Sequence, residues 1–501
     1  MQAPKLMPRR DFIKSTASLA SAAAVPGALA SSCQARKEFP AGKLNVAVIG
    51  LSMGYNNFLK CDGENLVAMC DVDKRPIENR LKEFKEKYPD REEPYTYQDY
   101  RKMMKEVGDQ IDAVIVATPD HTHARITLDL MKMGKHVYTQ KPLTHNVYES
   151  RILTQAAKKY PVATQMGNQG ASNEDTAWMC EAIWDNVIGE IKEVHAWTNR
   201  PIWPQCLNRP EEVMDTPSYI NWDLYLGPAP ERPFHPAYHP FNWRGRWDFG
   251  TGALGDMACH IMDVVMRSLR LKYPTGIEAC TTRWTMDSPS EAERITFFFP
   301  ERPAYKKVKM PAVKVSWYDG GLFPERPAEL PDGEMMGDWD GGVMFVGEKG
   351  KIVCGCYARN PKLLPYDKFA GYQPEIKERI VPEGIAGHEK DWIRACKEDA
   401  KNRVETKSNF AYAGPFNEVV VMGTVATRLA ALNRILKWDG ENMQFTNIGP
   451  EETIRLPKTV NLDVINNVPR YNVEWQEEVN ALAYANSLIK RDVRPGWELE
   501  L

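Results

Sequence analysis

From Leu44 onward the chain alternates short apolar runs with longer polar, helix-prone stretches. The apolar runs fall at 45–50, 66–72, 113–119, 136–141 and 162–167. Unbroken apolar runs of this length belong to a parallel sheet covered by helices on both faces. Residues 41–168 are therefore expected to form an α/β domain with a doubly wound Rossmann sheet. After it the period changes. A helix is predicted around 172–186, ended near Gly189, and a strand at 191–198, whereas 200–247 is Pro-rich and aromatic with little regular period. Strand-like runs at 278–284, 294–299, 313–317, 342–346 and 351–354 are separated by Pro/Gly turns. They predict a large, mostly antiparallel open sheet in a C-terminal α+β domain over 169–501. Further helices are expected to open at 252–260 and 387–392, and 418–436 reads as the clearest amphipathic helix of the chain.

At 501 residues the chain is long enough for two or three domains. Its 64 Lys and Arg nearly cancel 67 Asp and Glu, so no field draws it to nucleic acid or to an anionic membrane. Hydrophobic residues make up 43%, which excludes a disordered chain and a bundle of membrane spans. Tryptophan divides the sequence: all 14 lie at or after Trp178, and seven fall between Trp178 and Trp247. Two differently composed regions are implied.

Residues 8–14 read Pro-Arg-Arg-Asp-Phe-Ile-Lys and lead into an Ala/Ser-rich run, to Ser32, too short and too polar to span a bilayer stably. This resembles a twin-arginine export signal. Residues 1–40 are then signal and linker, and the mature protein is expected in the periplasm or cell envelope. Ala28-Leu29-Ala30 offers a cleavage site, and Ala30-Ser31-Ser32-Cys33 an imperfect lipobox whose Cys33 would carry a lipid anchor. Soluble and anchored forms both stay open. The twin-arginine route carries folded proteins, often with a cofactor seated, so a bound cofactor is expected. None of the 10 cysteines forms a CxxC pair or matches a histidine pair, so no metal is expected and most thiols should be buried. In an oxidising compartment disulfides stay open.

Gly50-Leu51-Ser52-Met53-Gly54 closes the first apolar run, and Asp71 lies 21 residues after Gly50 at the tip of the second. A glycine turn between strand and helix cradles phosphate with backbone amides, and an acid at that distance accepts from a ribose 2′-hydroxyl. Against GxGxxG, Ser52 stands at the second glycine and Tyr55 at the third. Strand, turn and acid together point to a dinucleotide. Asp71 repels a 2′-phosphate and favours NAD, while Lys74 and Arg75 just beyond leave NADP open.

Three more segments fall at C-terminal ends of predicted strands, where ligands sit in an open α/β sheet. They are Thr118-Pro119-Asp120-His121-Thr122-His123, Thr139-Gln140-Lys141-Pro142 and Met166-Gly167-Asn168-Gln169. Here the sequence resembles the Gfo/Idh/MocA oxidoreductases, the family of glucose-fructose oxidoreductase and inositol dehydrogenase. The family's Glu-Lys-Pro is Gln140-Lys141-Pro142 in this chain, so lysine and proline match and the acid does not. The expected cofactor contacts are Gly50, Ser52, Met53, Gly54, Asp71, Thr118, Pro119, His123, Gln140, Lys141 and Asn168.

The irregular segment carries Trp203, His235, Tyr238, His239, Trp243, Arg244 and Trp247. Long irregular segments in compact enzymes are usually functional loops. Flat aromatic faces beside Arg and His suit the apolar faces and hydroxyl rims of a sugar. We expect Trp203, His235, Trp243, Arg244, Trp247 and, further on, His388 at the substrate. Directly afterwards, 249–260 is a Gly-rich turn leading into Asp256 and His260, spaced i and i+4 on one helix face. This turn followed by DxxxH is the second signature of the same family, which implies that Lys141, Asp256 and His260 form the catalytic group, the latter two also touching substrate. Oxidising a secondary alcohol needs a base for the hydroxyl proton and a cation beside the developing alkoxide. His260 suits the base and Lys141 the cation, while Asp256 orients the histidine or binds a neighbouring hydroxyl.

These observations predict an exported NAD(P)-dependent oxidoreductase acting on a secondary hydroxyl of a sugar or glycoside, with its cofactor retained through turnover. A redox-neutral glycosidase or epimerase using a transient ketosugar needs the same residues. A carbohydrate-binding protein built on a decayed enzyme is the alternative of another class, made thinkable by Ser52, Tyr55 and Gln140. The family's broad open sheet often serves as a subunit interface, so a homo-oligomer is expected.

Overall fold

The five apolar runs become strands of one parallel sheet, joined by a sixth, and the polar stretches between them become its helices. In chain order these are β1 (Asn45–Ile49), α1 (Leu51–Phe58), β2 (Asn65–Cys70), α2 (Lys74–Lys87), β3 (Tyr95–Tyr97), α3 (Tyr100–Val107), β4 (Ala113–Val116), α4 (Asp120–Lys132), β5 (His136–Thr139), α5 (Val147–Lys159) and β6 (Thr164–Met166). This computed structural model describes residues 36–61 and 63–501, so the export-signal, cleavage and Cys33 expectations lie outside the described residues. The strand order is 3-2-1-4-5-6 with every pair parallel. Strand order reverses between β1 and β4, and the crevice beyond their C-terminal ends is the ligand position of such sheets. β2 and β4 are buried at every position, as unbroken apolar strands between two helix layers must be. β3 has no apolar run to announce it: it is three residues long with Thr96 exposed between two buried tyrosines. Asp73, Asp99 and Asn146 set the starts of α2, α3 and α5 by accepting from backbone amides, caps worth about 1 kcal/mol each.

The chain then forms α6 (Glu174–Trp184), β7 (Ile191–Thr198), the short α7 (Trp222–Leu226) inside the irregular segment, α8 (Gly252–Ile261), α9 (Asp263–Ser268), β8 (Gly276–Thr281) and β9 (Glu293–Phe299). A nine-stranded sheet runs in the order 362–364, 351–355, 341–347, β7, 313–318, β9, β8, 436–439, 444–445. Only the pairing of β7 with 313–318 is parallel, so the sheet is mixed and mostly antiparallel. Farther on lie α10 (His388–Lys397) and α11 (Phe410–Arg428).

α11 corrects the expectation of an amphipathic helix at 418–436. It starts eight residues earlier, ends at Arg428, and buries fourteen of its nineteen residues against α5, α8 and the large sheet, while Leu436 opens a strand. A helix covered on nearly all sides needs no polar face. α10 returns to the first sheet: Trp392, Ile393, Ala395 and Cys396 share one core with Val46, Val48, Leu51, Phe58 and Ile115. A boundary at residue 168 thus separates the two sheets but not the layers. Cys70, Cys180, Cys206, Cys259, Cys280, Cys354, Cys356 and Cys396 are free thiols. No helix among these residues is long and apolar enough to cross a membrane.

Candidate active site

At the first turn Gly50 adopts φ +86°, and a Cβ there would collide with the Ala117 carbonyl. Glycine is required twice over, by the left-handed backbone and by the close approach. Gly54 takes over the contact usually made by a third glycine, since a Cβ on it would lie 2.7 Å from Val48 Cγ1 on β1. The tyrosine that breaks the motif, Tyr55, is buried in the core instead. Asp71 accepts from the amides of Leu51 (2.9 Å) and Asp73 (3.0 Å), tying the tip of β2 to the start of α1. Burial pushes its pKa up, against the lowering effect of those two amides. Arg75 is committed elsewhere: it binds Asp73 at 2.6 Å and lies 3.8 Å over the Tyr219 ring.

These groups open onto a cavity of about 390 Å³. Its Rossmann wall is Gly50, Ser52, Met53, Asp71, Thr118, Pro119, Asp120, Gln140 and Lys141. The facing wall comes from the irregular segment and α8, with Tyr225, His239, Phe241, Trp243, Arg244 and Asp256, and from Trp497 near the C-terminus. Residues 217–241 act as a strap across the edge of the first sheet. Lys74 N donates to Tyr219 O and Asn221 N to Val72 O, both at 2.9 Å. Gln98 Nε2 donates to Tyr219 O at 3.4 Å, and His239 Nε2 meets Asp73 Oδ2 at 2.9 Å.

At the other end of the cavity Lys141 Nζ donates to both the carboxylate and the carbonyl of Asp256, each at 2.9 Å. Arg244 Nε stands 3.5 Å from the same carboxylate, and its guanidinium lies 4.3 Å over Trp243 and 4.5 Å over Phe241. Burial opposes ionisation of Asp256, but the Lys141 and Arg244 cations outweigh it and hold the carboxyl at about 2. The acid missing at position 140 is supplied from far away. Gln140 Nε2 donates to Asn57 Oδ1 (2.9 Å), and Asn57 Nδ2 donates to Glu389 Oε1 (2.6 Å), a fully buried carboxylate on α10. Asp120, at the start of α4, accepts from the Thr251 hydroxyl at 2.7 Å, and burial pushes its carboxyl up to about 7. Glycine turn, acid at the tip of β2, and a pocket bounded by lysine, arginine and tryptophan fit a dinucleotide with a small polar substrate beside it.

Comparison with known proteins agrees. Residues 44–168 match the oxidoreductase family with an NAD-binding Rossmann fold, and residues 191–301 match that family's C-terminal alpha/beta domain. The chain belongs to the Gfo/Idh/MocA oxidoreductase family. Among its relatives, a glycosyl hydrolase family 109 protein of a Shewanella species is 25% identical over 204 residues, covering 36% of this chain and 44% of that protein. Myo-inositol 2-dehydrogenase of Thermotoga maritima is 27% identical over 165 residues, 32% of this chain and 47% of that one. Levoglucosan dehydrogenase of Pseudarthrobacter phenanthrenivorans is 24% identical over 182 residues, 36% and 38% of the two chains. The chain thus spans less than half the length of these relatives. Among solved structures, the WlbA dehydrogenase of Bordetella pertussis in complex with NADH and UDP-GlcNAcA shares the fold with a TM-score of 0.52 at 14% identity, covering 79% of this chain and 99% of that one.

Within this Gfo/Idh/MocA cavity stand Gly50, Ser52, Met53, Asp71, Thr118, Pro119, Gln140, Lys141, Trp243, Arg244 and Asp256 of the residues singled out from sequence. Others lie outside its lining. Gly54 faces β1. His123 is buried with its ring nitrogens 2.7 Å from the Thr118 and Pro142 carbonyls, so it braces the two loops without reaching the cavity. Asn168 is fully buried between Asp263 and Ser408. His388 is fully buried, bonded to Ser172 Oγ and Met166 O, and His235 accepts from the Ala237 amide in a turn. Trp203 and Trp247 turn their indole N–H groups to Gln205 and the Thr285 carbonyl. His260 packs on Tyr357 with ring centroids 4.7 Å apart, and its buried Nδ1 has no partner among the described residues. Burial first, then Lys141, drives its pKa well below the usual histidine value. Tyr225, Phe241 and Trp497 enter the lining unannounced, and Asp120 and His239 enter it although they were named only as members of their segments and not as expected contacts. Asp120 had a signal, its place within the Thr118-to-His123 motif; Trp497 had none.

Proposed function

We propose that the protein oxidises a secondary hydroxyl of a sugar or glycoside with an NAD retained in the cavity. The observation that carries this reading is the Lys141–Asp256 pair, 2.9 Å apart, at the end of the cavity bounded by Trp243 and Arg244. Bound NAD supplies the two-electron acceptor. Lys141 donates to the reacting oxygen and stabilises charge growing on it. Asp256 aims the ammonium and stays ionised across the working pH range. Arg244, placed over the Trp243 and Phe241 rings, donates to neighbouring hydroxyls, and Trp243 offers an apolar face to a sugar ring. The strap at 217–241 covers the adenosine side of the crevice and slows release of the dinucleotide. The paired arginines at 9 and 10 support export, where a retained cofactor is an advantage because free nicotinamides are scarce. Relatives named as levoglucosan and myo-inositol dehydrogenases support a polyhydroxy substrate.

The glycosyl hydrolase family 109 relatives favour a second reading, redox-neutral cleavage in which transient oxidation acidifies the neighbouring C–H and permits elimination. Purified holoprotein mixed with glycosides separates the two. A ketosugar with lasting cofactor reduction marks the dehydrogenase, and released aglycone without lasting reduction marks the hydrolase. Denatured protein that releases no dinucleotide, and binds none on addition, contradicts both.

A further inference from the structure

Asp256 aims the ammonium of Lys141, but the backbone from which that side chain leaves must be held as well, and the residue that sets it is carried by α10. His388 opens this helix and fastens it to the first sheet. Its Nε2 bonds the Met166 carbonyl at 2.9 Å, its Nδ1 bonds Ser172 Oγ at 2.7 Å, and Gln165 Nε2 donates to the His388 carbonyl at 2.7 Å. The next residue, Glu389, is thereby delivered fully buried against α1. Its Oε1 accepts from Asn57 Nδ2 at 2.6 Å, with Lys60 Nζ at 3.5 Å as a second donor. Asn57 Oδ1 accepts from Gln140 Nε2 at 2.9 Å, and Gln140 Oε1 accepts from the Lys141 amide at 3.3 Å. Asn57 and Gln140 are themselves buried. The Gln140 amide lies against Gly167, where a Cβ would come within 2.6 Å of Oε1.

The direction of this chain of bonds is dictated from one end. A carboxylate only accepts, so Glu389 draws the NH2 of Asn57 toward itself and leaves Oδ1 for Gln140. Gln140 must then give its NH2 to Asn57 and its Oε1 to the Lys141 amide. Two neutral amides without the carboxylate can bond equally well in the opposite sense, which would set the NH2 of Gln140 against the N–H of Lys141. We propose that Glu389 is a positioning residue, which fixes the direction of the Asn57–Gln140 relay and through it the placement of Lys141 at the end of the cavity. The part Lys141 plays there rests on the oxidoreductase reading above. No proton moves along the relay; it orients. Because Asn57 belongs to α1, the relay also ties the helix behind the phosphate cradle to the lysine at the other end of the cavity. Buried hydrogen-bonded supports of this kind keep a reacting group within the narrow range of useful positions.

The test is a double-mutant cycle on full-length holoprotein: wild type, Glu389→Gln, Gln140→Leu and the two combined. Glu389→Gln keeps the shape but offers a donor as well as an acceptor, so the relay loses its imposed direction. One readout is the rate at which acetic anhydride acetylates Lys141, followed by mass spectrometry at equal dinucleotide content and without sugar. The other is single-turnover cofactor reduction with levoglucosan, myo-inositol and 4-nitrophenyl glycosides. Glu389→Gln should lower the reduction rate by roughly 10–100-fold at an unchanged half-saturating sugar concentration, and speed Lys141 acetylation by about threefold or more. Gln140→Leu should do the same, and the combined variant should be no worse than either alone. Asn57→Ala, which cuts the relay at its middle, stands in if Glu389→Gln does not accumulate. Acetylation and reduction at wild-type rates in Glu389→Gln, or effects that multiply in the combined variant, overturn the assignment. Wild type that reduces cofactor with no probe contradicts the oxidoreductase reading instead, and the acetylation cycle then decides by itself whether Glu389 positions Lys141.

Discussion

Asp256 and Asp120 show how one pocket drives like groups apart. Asp256, beside Lys141 and Arg244, is held at about 2, below its unfolded value, so its contribution to stability is complete above pH 4 and is lost as pH falls through 2. Asp120, raised to about 7, does the reverse: the unfolded chain ionises it near pH 4 while the folded chain keeps the proton, so stability falls as pH rises from 4 to 7. Asp120→Asn removes that penalty. Thermal unfolding should show the variant gaining several degrees over wild type at pH 8 and little or nothing at pH 4. Lys141→Met should lower cofactor reduction at least about a thousandfold while dinucleotide stays bound, because it removes the cation at the reacting oxygen; a fully active variant would remove Lys141 from that role. Lys141 and Asp256 were legible because each sits in a short motif at the end of a predicted element. Glu389 was not, since the carboxylate serving Gln140 through Asn57 arrives from 332 residues away in sequence. Histidines misled for a related reason: spacing places His123 and His388 near the sheet edge, and only packing shows that backbone carbonyls and Ser172 take up their ring nitrogens.

Among the elements, the strap at 217–241 contributes Leu224, Tyr225, His239, Pro240 and Phe241 to the cavity lining. It is attached to the tip of β2 through backbone hydrogen bonds at Val72 and Lys74, the Asp73–His239 pair, and Arg75 stacked on Tyr219. Arg75→Ala and Tyr219→Ala each remove the stacking outside the cavity lining. We expect both variants to lose dinucleotide on prolonged gel filtration, with dissociation faster by about tenfold, while melting temperature changes by only a few degrees. Dissociation at the wild-type rate would show that the strap does not control release. The absence of period between 200 and 247 marked this segment as a functional loop. Which rings face the cavity was not legible, because Trp203, Trp243 and Trp247 are alike in sequence and differ only in where their neighbours leave room. The same blindness to packing shifted α11, which is buried on nearly all sides and extends eight residues upstream of the pattern read from sequence.

On the scale of the whole molecule, the first sheet is the part that sequence announces most clearly. Both faces of its strands are buried, so apolar runs record the strands directly. Residues 41–168 contain no tryptophan, and the aromatic half closes over them: Trp243 and Trp497 in the cavity lining and Trp392 in the core with β1. The contributions of Trp392 and Trp497 depend on long-range return of the chain, which composition does not encode. What the two halves build is a crevice with a dinucleotide cradle at one end and a lysine–carboxylate pair at the other. The most direct test of that account is to add sugars and glycosides to the purified holoprotein and follow the near-ultraviolet absorbance of the reduced nicotinamide within a single turnover. The account predicts that absorbance appears at up to one equivalent per chain with at least one polyhydroxy substrate, and vanishes in Lys141→Met. Bound dinucleotide that no sugar or glycoside reduces, even transiently, would contradict it.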